Sequence, residues 1–411
     1  MPEFLKLIPP DDAKRLLLQN IPANGLVSEI IETVHALGRV IAQDIIAPHP
    51  LPTFPRSTVD GFAVYSDDTF SASDSQPVYL SRVSEVPMGT APSFKLAPAQ
   101  AASIHTGGMV PDGADAVIML EYTQTVSERE IEILRPVAVG ENVIKIGEDV
   151  EAGQAVIPQG RLIRPEEIGG LMALGLTHVQ VVKKPCVGII SCGDEVVSPD
   201  KLPEVGQVRD INSYSLAALI DKAGGESIQY GIVPDESESL MKTARRALIE
   251  CEFVVITAGS SASARDITVT VIASLGKPGV LVHGVNVRPG KPTILAVCDG
   301  KPVFGLPGNP VSALVIARLF VIPVIDHLLG LPTDRLHPSV TAKLTTNLPS
   351  QAGQEDWIAI RLVNSPQGRM AEPIFGKSNL IFNLCEANGL LRIPANSTGM
   401  SAGDAVEVLL P

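Results

Sequence analysis

The sequence predicts a multidomain α/β protein, in which a doubly wound sheet is joined to two mostly-β parts. Between Cys186 and Leu329, short apolar strands alternate with helices, which is typical of a parallel sheet with helices on both faces. Strands and turns dominate from Leu51 to about Val137, and no convincing helix pattern follows Pro338. A chain of 411 residues is long enough for roughly two to four domains.

Composition and charge argue against several classes of protein. The formal net charge is −13, whereas a general nucleic-acid binder needs a positive surface. The five cysteines have no framework spacing, which favours a reducing cytosol. The N-terminus is too charged for a signal peptide, and the apolar helix over 311–329 contains Arg318, Asp326 and His327. We therefore expect a cytoplasmic protein without a nucleic-acid or membrane partner.

The chain before the α/β region is predicted to contain three helices and several short strands. Asp11 and Asp12 cap a helix over 13–18, and Ser28 caps a second helix with apolar residues at helical spacing over 30–41. Residues 48–52 (P-H-P-L-P) are stiff and mark a domain boundary. Short extended pieces over 140–160 precede a helix that Pro165 begins.

The central and C-terminal elements follow from apolar periodicity. The predicted central strands cover 186–191, 228–233, 253–257, 293–297 and 302–306. The predicted helices cover 213–223, 235–249, 267–275 and 311–329, the last with a kink at Pro323. The C-terminal strands cover 340–344, 357–363, 390–393 and 405–410, which predicts a small all-β module.

Three central strands end in loops that suit an anionic ligand. After the strand 253–257, the small residues Gly259, Ser260 and Ser261 let backbone N–H groups approach an anion, and Asp266 is a possible metal ligand at a helix start. This loop has neither a Walker A sequence nor a dinucleotide fingerprint, and a simple Ser/Ala turn is an alternative. Open α/β sheets bind ligands where such strand ends meet.

Charged and rigid residues follow at the other strand ends. Asp194 and Glu195 are hard oxygen donors suited to Mg²⁺, or else the acids of a solvated turn. Arg288 and Lys291 flank a stiff turn and can hold phosphate or molybdate, although two surface cations are the alternative. In L-P-G-N-P, Pro307 and Pro310 fix a rigid edge or a simple helix entry. Cys192 has no neighbouring histidine base, and His105 is predicted to be a turn residue.

In this order, the motifs resemble those of the molybdopterin molybdenumtransferase family, MoeA, to which the C-terminal domain of animal gephyrin is related. The matching stretches are 57–64 (S-T-V-D-G-F-A-V), 106–115, 147–149 (G-E-D), 192–195 (C-G-D-E), 210–212 (D-I-N), 289–292 (P-G-K-P) and 306–310 (L-P-G-N-P). They extend over nearly the whole chain, and the ordered set is much more specific than any one of them.

The resemblance implies an elongated homodimer built from four parts. These are an N-terminal linker and dimerisation domain (1–50 and 140–183), an inserted mostly-β domain (51–139), a MogA/MoaB-like molybdopterin-binding α/β domain (184–332) and a C-terminal all-β domain (333–411). It also implies a transferase that inserts molybdate into adenylylated molybdopterin and releases AMP with Mg²⁺, the last step of molybdenum cofactor synthesis. A molybdopterin adenylyltransferase is the expected protein partner.

The same resemblance assigns roles to individual residues. Glu195, Asp235 and Asp266 line the ligand and metal cleft, with Glu195 and Asp266 as metal ligands. Arg288 and Lys291 hold anionic groups, and Pro307 and Pro310 shape the wall. Asp60 and Thr106 reach this cleft from the partner subunit, and Asp60 acts with Glu195 and Asp266 in catalysis.

The chain departs from the family pattern in three places. The Ser/Ala loop and Arg265 replace G-G-x-S-x-G, Arg288 and Gly284 stand where lysine and a basic residue are usual, and Cys192 replaces threonine. Molybdate and tungstate therefore both stay open as the oxoanion. Two other functions are a non-catalytic dimeric molybdopterin-binding scaffold and a pterin or nucleotide pyrophosphate hydrolase. The retained acids argue against the scaffold, and the matching terminal parts argue against the hydrolase.

Overall fold

The computed structural model describes residues 7–22, 26–258, 262–333, 335, 338–366 and 368–410, with the backbone alone for 262–265. The chain divides into two compact units. The first unit contains residues 1–29, 38–40 and 181–411, and the second contains 30–37 and 41–180. Each unit is described by itself below.

The elements before the α/β region are mostly short strands. In chain order they are α1 (Pro10–Gln19), β1 (Ser28–Glu32), β2 (Ile45–Ile46), β3 (Arg56–Ser57), β4 (Gly61–Val64), β5 (Val78–Glu85), β6 (Gln100–Ile104), β7 (Ala116–Met119), β8 (Thr123–Ser127), β9 (Glu130–Ile133), β10 (Val143–Ile144), β11 (Ala155–Ile157), α2 (Pro165–Ala173) and β12 (His178–Val182). The helices α1 and α2 confirm two of the predictions made for this region.

The predicted helix over 30–41 is wrong. The segment instead forms β1 and a single 3₁₀ turn, Thr33–His35. Ile30, Val34 and Leu37 are 71%, 57% and 61% exposed, so their helical spacing does not mark a buried face. The β-branched residues of this segment lose less side-chain freedom in a strand than in a helix, which favours the observed structure.

The second unit contains a six-stranded sheet in the order β7-β4-β6-β5-β9-β8, with only the β5–β6 pair parallel. Its core is formed by apolar side chains that alternate along the strands, among them Leu80, Ile118, Ile131 and Ile133. Alternation of this kind buries one face of each strand against the core. Six of the strands between 51 and 137 therefore form one sheet, while β3 pairs separately with β10.

The α/β region of the first unit continues the alternation of strands and helices. Its elements are β13 (Cys186–Cys192), β14 (Val196–Val197), β15 (Val208–Arg209), α3 (Asn212–Lys222), β16 (Glu226–Val233), α4 (Ser237–Glu250), β17 (Phe253–Ala258), α5 (Ala262–Ala273), β18 (Pro278–His283), β19 (Val287–Arg288), β20 (Ile294–Cys298), β21 (Lys301–Pro307), α6 (Pro310–Ile316) and α7 (Ile322–Leu328). A π-helical turn, Ala317–Val321, joins α6 to α7.

The central sheet has the order β16-β13-β17-β21-β20-β18, and its first four strands are parallel. This arrangement confirms the predicted α/β fold, but two strands differ from the prediction. β20 runs antiparallel to β21 through a tight turn in which Asp299 and Gly300 both have positive φ. The Asp-Gly pair is a hairpin signal, because such turns need left-handed backbone at both positions. β18 was not predicted, and it is also antiparallel to β20.

The last helical segment of this region is long and apolar. Residues Pro310–Leu328 pass the length and hydropathy criteria for a membrane span, but 67% of that window is buried within the protein. Val315, Ile316, Phe320 and Val321 are at most 1% exposed, as expected of a core helix. Pro323 follows the π-helical turn, and because proline lacks an N–H group it disturbs the hydrogen bonding where the kink was predicted.

The C-terminal region is built from strands, with one short helix that was not predicted. Its elements are β22 (Ser339–Leu344), β23 (Leu348–Pro349), β24 (Glu355–Ser365), β25 (Gly368–Pro373), α8 (Phe382–Cys385), β26 (Gly389–Ile393), β27 (Gly399–Met400) and β28 (Ala405–Leu409). The main sheet has the order β19-β24-β25-β22-β28-β26. Because β19 belongs in sequence to the α/β region, this sheet connects that region to the C-terminal strands.

Candidate functional site

The carboxyl ends of three parallel strands meet at one edge of the central sheet. β17 lies between β13 and β21, and Thr257 pairs with Ser191 on one side and with Leu306 on the other. The loops after these strands therefore begin side by side at one edge of the sheet, the edge at which open α/β sheets bind ligands. The predicted anion loop, residues 259–261, lies outside the described residues.

Glu195 lies on a loop whose backbone is held in place. Its carbonyl oxygen accepts a 2.8 Å hydrogen bond from the Val208 amide, beside the parallel pair β14–β15. A Cβ atom on Gly193 would lie only 2.9 Å from Glu195 Oε2, so this glycine makes room for the carboxylate. Glu195 is part-buried, and the C-G-D-E sequence places its side chain just after β13.

Asp235 reaches the same edge from the end of β16. Its amide donates a 3.1 Å hydrogen bond to Asp194 Oδ1, and its own Oδ1 accepts one from Cys192 Sγ at 3.2 Å. Burial and, secondly, this hydrogen bond to Asp235 raise the pKa of the Cys192 thiol. Cys192 therefore stays protonated and donates a hydrogen bond to Asp235, which agrees with the lack of a neighbouring histidine base in the sequence.

The predicted wall prolines stand at the junction of β21 and α6. Pro307 and Pro310 are both buried, and each restricts the backbone φ angle of the loop. Asn212, the first residue of α3, donates from Nδ2 to the Gly308 carbonyl oxygen at 2.8 Å. The loop is therefore held by a side chain from a neighbouring helix as well as by its prolines.

Two more contacts complete the support of this loop. Asn309 Nδ2 donates to Ser378 Oγ at 3.1 Å, which ties the loop to the C-terminal region. Asp210 accepts hydrogen bonds from the Ser213 amide at 3.1 Å and from Ser213 Oγ at 2.5 Å, which orders the start of α3.

Asn212 Oδ1 is buried and has no hydrogen-bond partner among the described residues. This oxygen can accept one further hydrogen bond, from a ligand or from water.

Arg288 forms an ion pair that the sequence did not predict. Its Nη2 contacts Asp356 Oδ2, an atom that also accepts a 2.7 Å hydrogen bond from Ser350 Oγ. Asp356 is 1% exposed, and a buried carboxylate is costly without a cation. Arg288 itself is 55% exposed and keeps further N–H groups, so it can still meet an anion while it neutralises Asp356.

Lys291 follows Gly290, whose backbone conformation and close packing require glycine. Gly290 has a φ of +117°, and a Cβ there would lie 2.4 Å from Ile316 Cγ1 on α6. Thr293 Oγ1 donates to the Gly290 carbonyl oxygen at 2.6 Å. The Arg-Pro-Gly-Lys turn is thus packed tightly against α6. Lys291 is exposed and forms no ion pair with any residue that the structure describes.

Asp266 is not at the start of its helix as predicted. The helix α5 begins at Ala262, so Asp266 lies beyond the first turn, where its side chain is exposed. No group of three or more His, Cys, Asp or Glu side chains that could hold a metal is present in the described part of the chain. Mg²⁺ commonly takes only one or two carboxylates and completes its shell with phosphate oxygens and water. The acids at this edge fit that mode of binding.

In the second unit, the structure brings Asp60 and Thr106 together. The Thr106 amide donates a 2.7 Å hydrogen bond to Asp60 Oδ1, and chiefly this bond lowers the pKa of Asp60. His105 lies 3.5 Å from Asp60 and 3.5 Å from Glu85, and thus bridges two carboxylates in addition to its place in the turn. Gly61 is required here, because a Cβ would lie 1.8 Å from a backbone oxygen of Ile118 on β7.

Three supporting residues were not assigned a role from the sequence. Asn212 lies within the D-I-N stretch noted above, so the sequence did carry a signal for it. The sequence carried no signal for Asp356 or Ser378, because each contacts the cleft loops across a long separation in the chain. Asp356 is 68 residues from Arg288, and Ser378 is 69 residues from Asn309.

Known proteins match the chain along its whole length. Three family descriptions apply to consecutive stretches: MoeA N-terminal region (domain I and II) at 8–175, probable molybdopterin binding domain at 188–327, and MoeA C-terminal region (domain IV) at 341–410. The molybdopterin molybdenumtransferase of Nostoc sp. is 35% identical over 388 residues, which are 93% of this chain and 88% of that relative. The chain belongs to the MoeA family.

Other members of the MoeA family agree with this assignment. The molybdopterin molybdenumtransferase of Bacillus subtilis is 33% identical and covers 93% of this chain and 90% of its own length. The crystal structure of the MoeA molybdopterin biosynthesis protein from Pyrococcus horikoshii OT3 has a TM-score of 0.86 at 33% identity, and covers 99% of this chain and 100% of that one. The predicted MoeA architecture, with N-terminal and C-terminal β domains around a MogA/MoaB-like domain, is confirmed.

Proposed function

We propose that this protein is a molybdopterin molybdenumtransferase, which inserts molybdate into adenylylated molybdopterin and releases AMP. The observation that carries the proposal is its similarity, over 93% of the chain, to proteins with that name. The acids at the strand ends and the exposed Lys291 support it, since this chemistry handles two kinds of anion. The non-catalytic scaffold is not favoured, because the cleft keeps its acids.

The reaction has two parts that the site residues suit. Water attacks the phosphoanhydride, AMP leaves, and the pterin keeps the other phosphate. The two dithiolene thiols bind molybdenum, and their two protons leave with one displaced oxide of molybdate as one water molecule. We assign Glu195 to proton transfer and Lys291 to holding an anionic group, with Arg288 beside it. Gly259, Ser260 and Ser261 are proposed to bind substrate through their backbone.

A divalent cation is proposed as part of the site. Glu195 and Asp266 would hold Mg²⁺ together with phosphate oxygens, and the bound ion would offset the negative charge of the leaving phosphate. Asp235 lies close to this cluster and is assigned to substrate binding. Cys192 stands where the family usually has threonine, and as a protonated donor to Asp235 it keeps a hydrogen bond that a hydroxyl could also make.

The quaternary and cellular context is also proposed. We infer a cytoplasmic homodimer in which Asp60 and Thr106 complete the cleft of the partner subunit, with the four domains at the boundaries given above. Several apolar side chains of one short segment are exposed, among them Val27, Ile30, Val34 and Leu37, as expected of a surface that a second copy covers. A molybdopterin adenylyltransferase is the protein expected to deliver the adenylylated pterin.

AMP release tests the proposal. The purified protein is incubated with adenylylated molybdopterin and Mg²⁺, and AMP is measured with molybdate, with tungstate and with neither oxoanion. We expect release that depends on an oxoanion, and the more effective oxoanion identifies the physiological one. Equal release without an oxoanion would favour a pyrophosphate hydrolase, and binding of the pterin without release would favour a scaffold.

A further inference from the structure

A cavity of about 410 Å³ lies in the first unit, separate from the cleft edge. It is lined by α1, the end of α3, the helical segment after Pro310 and strands of the C-terminal region. The lining residue Arg318 is eight residues after Pro310, which corresponds to about 12 Å along a helix. The volume lies within the range of small-molecule pockets. None of the roles proposed above uses this cavity.

Arg318 lines this cavity as a part-buried cation. It lies in the π-helical turn Ala317–Val321, and such turns are frequent at functional sites. Among the described residues it makes no ion pair or hydrogen bond, and burial alone accounts for the lowered pKa of its guanidinium. A guanidinium has five N–H donors and no acceptor, so removing it from water is costly unless an anion meets it.

The other charges of the cavity leave an excess of positive charge. Five cationic and two acidic side chains line it, in a chain whose net charge is −13, and one of the cations, Arg335, is paired with the buried Asp326 at 2.9 Å. Both acids are already occupied by Arg392: Glu355 accepts a hydrogen bond from it at 2.5 Å and one from Trp357 Nε1 at 2.8 Å, and Asp11 Oδ2 lies 3.4 Å from Arg392 Nη2. Lys14 and Lys222 line the cavity and form no ion pair with a described residue.

The remaining wall is largely apolar. Leu319, Ile322, Leu390 and Leu409 contribute to it, and Phe320 is 1% exposed beneath it. A free inorganic anion would leave these side chains without a partner. A neutral apolar molecule would leave Arg318 desolvated and unpaired. An anionic head group joined to an apolar body satisfies both kinds of wall.

We propose that this cavity binds a small organic anion, whose phosphate, sulfonate or carboxylate group contacts Arg318 and Lys14 and whose apolar body packs against Leu319 and Leu390. Arg318 contributes a planar donor set that suits a doubly charged oxygen group, and Lys14 contributes a point charge. The site is independent of the AMP-releasing activity, and it can be tested without the pterin substrate.

Binding of 1-anilinonaphthalene-8-sulfonate to the folded full-length chain tests the proposal. This probe combines a sulfonate with an apolar body, and its fluorescence increases in an apolar site. We expect saturable binding that phenyl phosphate displaces, while inorganic phosphate and benzyl alcohol displace it at least about tenfold less well. Equal displacement by benzyl alcohol would show an apolar groove, and equal displacement by inorganic phosphate would show a site for free anions. Either result overturns the proposal.

Substitution of Arg318 locates the site. Arg318→Met should weaken probe binding by about tenfold or more, because it removes a charge-assisted contact. In the absence of the probe it should raise the melting temperature, since it replaces a part-buried charge, unpaired among the described residues, with an apolar side chain. Arg245→Met, on the exposed face of α4, and Lys291→Met, in the cleft, should leave probe binding unchanged.

The outcomes separate this inference from the proposed function. If Arg318→Met folds and binds the probe as well as the wild type, the inference is wrong. If Arg318→Met does not fold, Lys14→Gln provides the second test, with weaker binding expected and unchanged binding contradicting the proposal. Loss of probe binding together with normal AMP release supports a separate site. A wild-type protein that binds the probe but releases no AMP would contradict the proposed function alone.

Discussion

At the scale of single residues, Glu195 is the acid that the account depends on most. Its backbone is held by Val208 and its carboxylate rests over Gly193. Glu195→Gln keeps the shape of the side chain but removes its charge and its capacity to accept a proton. We predict a loss of AMP release by roughly 10²–10⁴-fold with an unchanged melting temperature.

The control for this variant is Glu204→Gln. Glu204 is exposed and lies nine residues after Glu195 in the chain. It should keep wild-type activity, because the exposed Glu204 contacts Gln207 through its backbone alone, and its side chain has no hydrogen bond or ion pair among the described residues. Wild-type turnover by Glu195→Gln would show that the assignment of this acid is wrong. Asp266→Asn tests the second proposed metal ligand by the same assay.

Gly290 offers a stability prediction at the edge of the same cleft. Gly290→Ala places a Cβ 2.4 Å from Ile316 Cγ1 in a backbone conformation with φ of +117°. Overpacking and backbone strain together should lower the free energy of unfolding by about 3 kcal/mol or more, measured by denaturant titration.

Gly170→Ala is the matched control for Gly290→Ala. It lies inside α2, where nothing lies within 4 Å of the new Cβ. A helical glycine without crowding should gain about 0.5–1 kcal/mol when it becomes alanine. If both variants changed stability to the same extent, the packing of the Gly290 turn against α6 would be incorrectly described.

The residues that could be predicted are those whose neighbours are close in the chain. Pro307 is the last residue of β21 and Glu195 lies three residues after β13, so strand prediction alone places them at one sheet edge. Arg288 was predicted to hold an anion from its local turn, but its buried partner Asp356 is 68 residues away. No local sequence pattern predicts such a contact, because a carboxylate and a guanidinium can form an ion pair wherever folding brings them together.

At the scale of elements, the start of α2 provides a pH-dependent test. Glu167 is buried, and it accepts hydrogen bonds from the Arg164 amide at 3.0 Å and from Arg161 Nε at 3.1 Å. Chiefly the Arg164 side chain lowers the pKa of Glu167 to about 2. The ordinary value is 4.5, so the ionised form is favoured by folding.

The sign of the effect follows from these two values. The contribution of Glu167 is fully present above its unfolded pKa and is lost as the pH falls through its folded pKa. Glu167→Gln should therefore be less stable than the wild type by about 2 kcal/mol at pH 7, and the difference should vanish between pH 4.5 and about 2. A difference that does not depend on pH would contradict this assignment.

Element prediction succeeded where burial and periodicity agree, and failed where they do not. The strands 253–257 and 302–306 are buried on both faces and were recognised as continuous apolar runs. The helix predicted over 30–41 failed because Ile30, Val34 and Leu37 are exposed whereas Val40 and Ile41 are buried, so the helical spacing of these residues does not mark one buried helix face. The antiparallel direction of β20 depends on the Asp299-Gly300 turn. The prediction from alternating strands and helices did not consider this turn, and so it did not predict the antiparallel pair.

At the scale of the whole molecule, the proposed homodimer predicts complementation between damaged chains. Asp60→Asn and Glu195→Gln should each be inactive alone. If the two residues belong to one site but to different chains, a mixed dimer has one intact site and one doubly altered site. Co-refolded mixtures should then recover roughly a quarter of wild-type AMP release.

The control for this experiment is the doubly substituted chain mixed with wild type. In that mixed dimer each site carries one damaged residue, so every mixed dimer should be inactive. Failure of Asp60→Asn and Glu195→Gln chains to complement, in a mixture shown to form mixed dimers, would place both residues in the same chain's site or outside any shared site.

The central claim is that this chain couples AMP release to the transfer of an oxoanion onto the pterin. The most direct measurement is molybdenum that co-elutes with the pterin, compared with AMP released in a single turnover with Mg²⁺. The account predicts equal amounts of bound molybdenum and AMP in the wild type, and neither product from Glu195→Gln. AMP release without molybdenum on the pterin would contradict it.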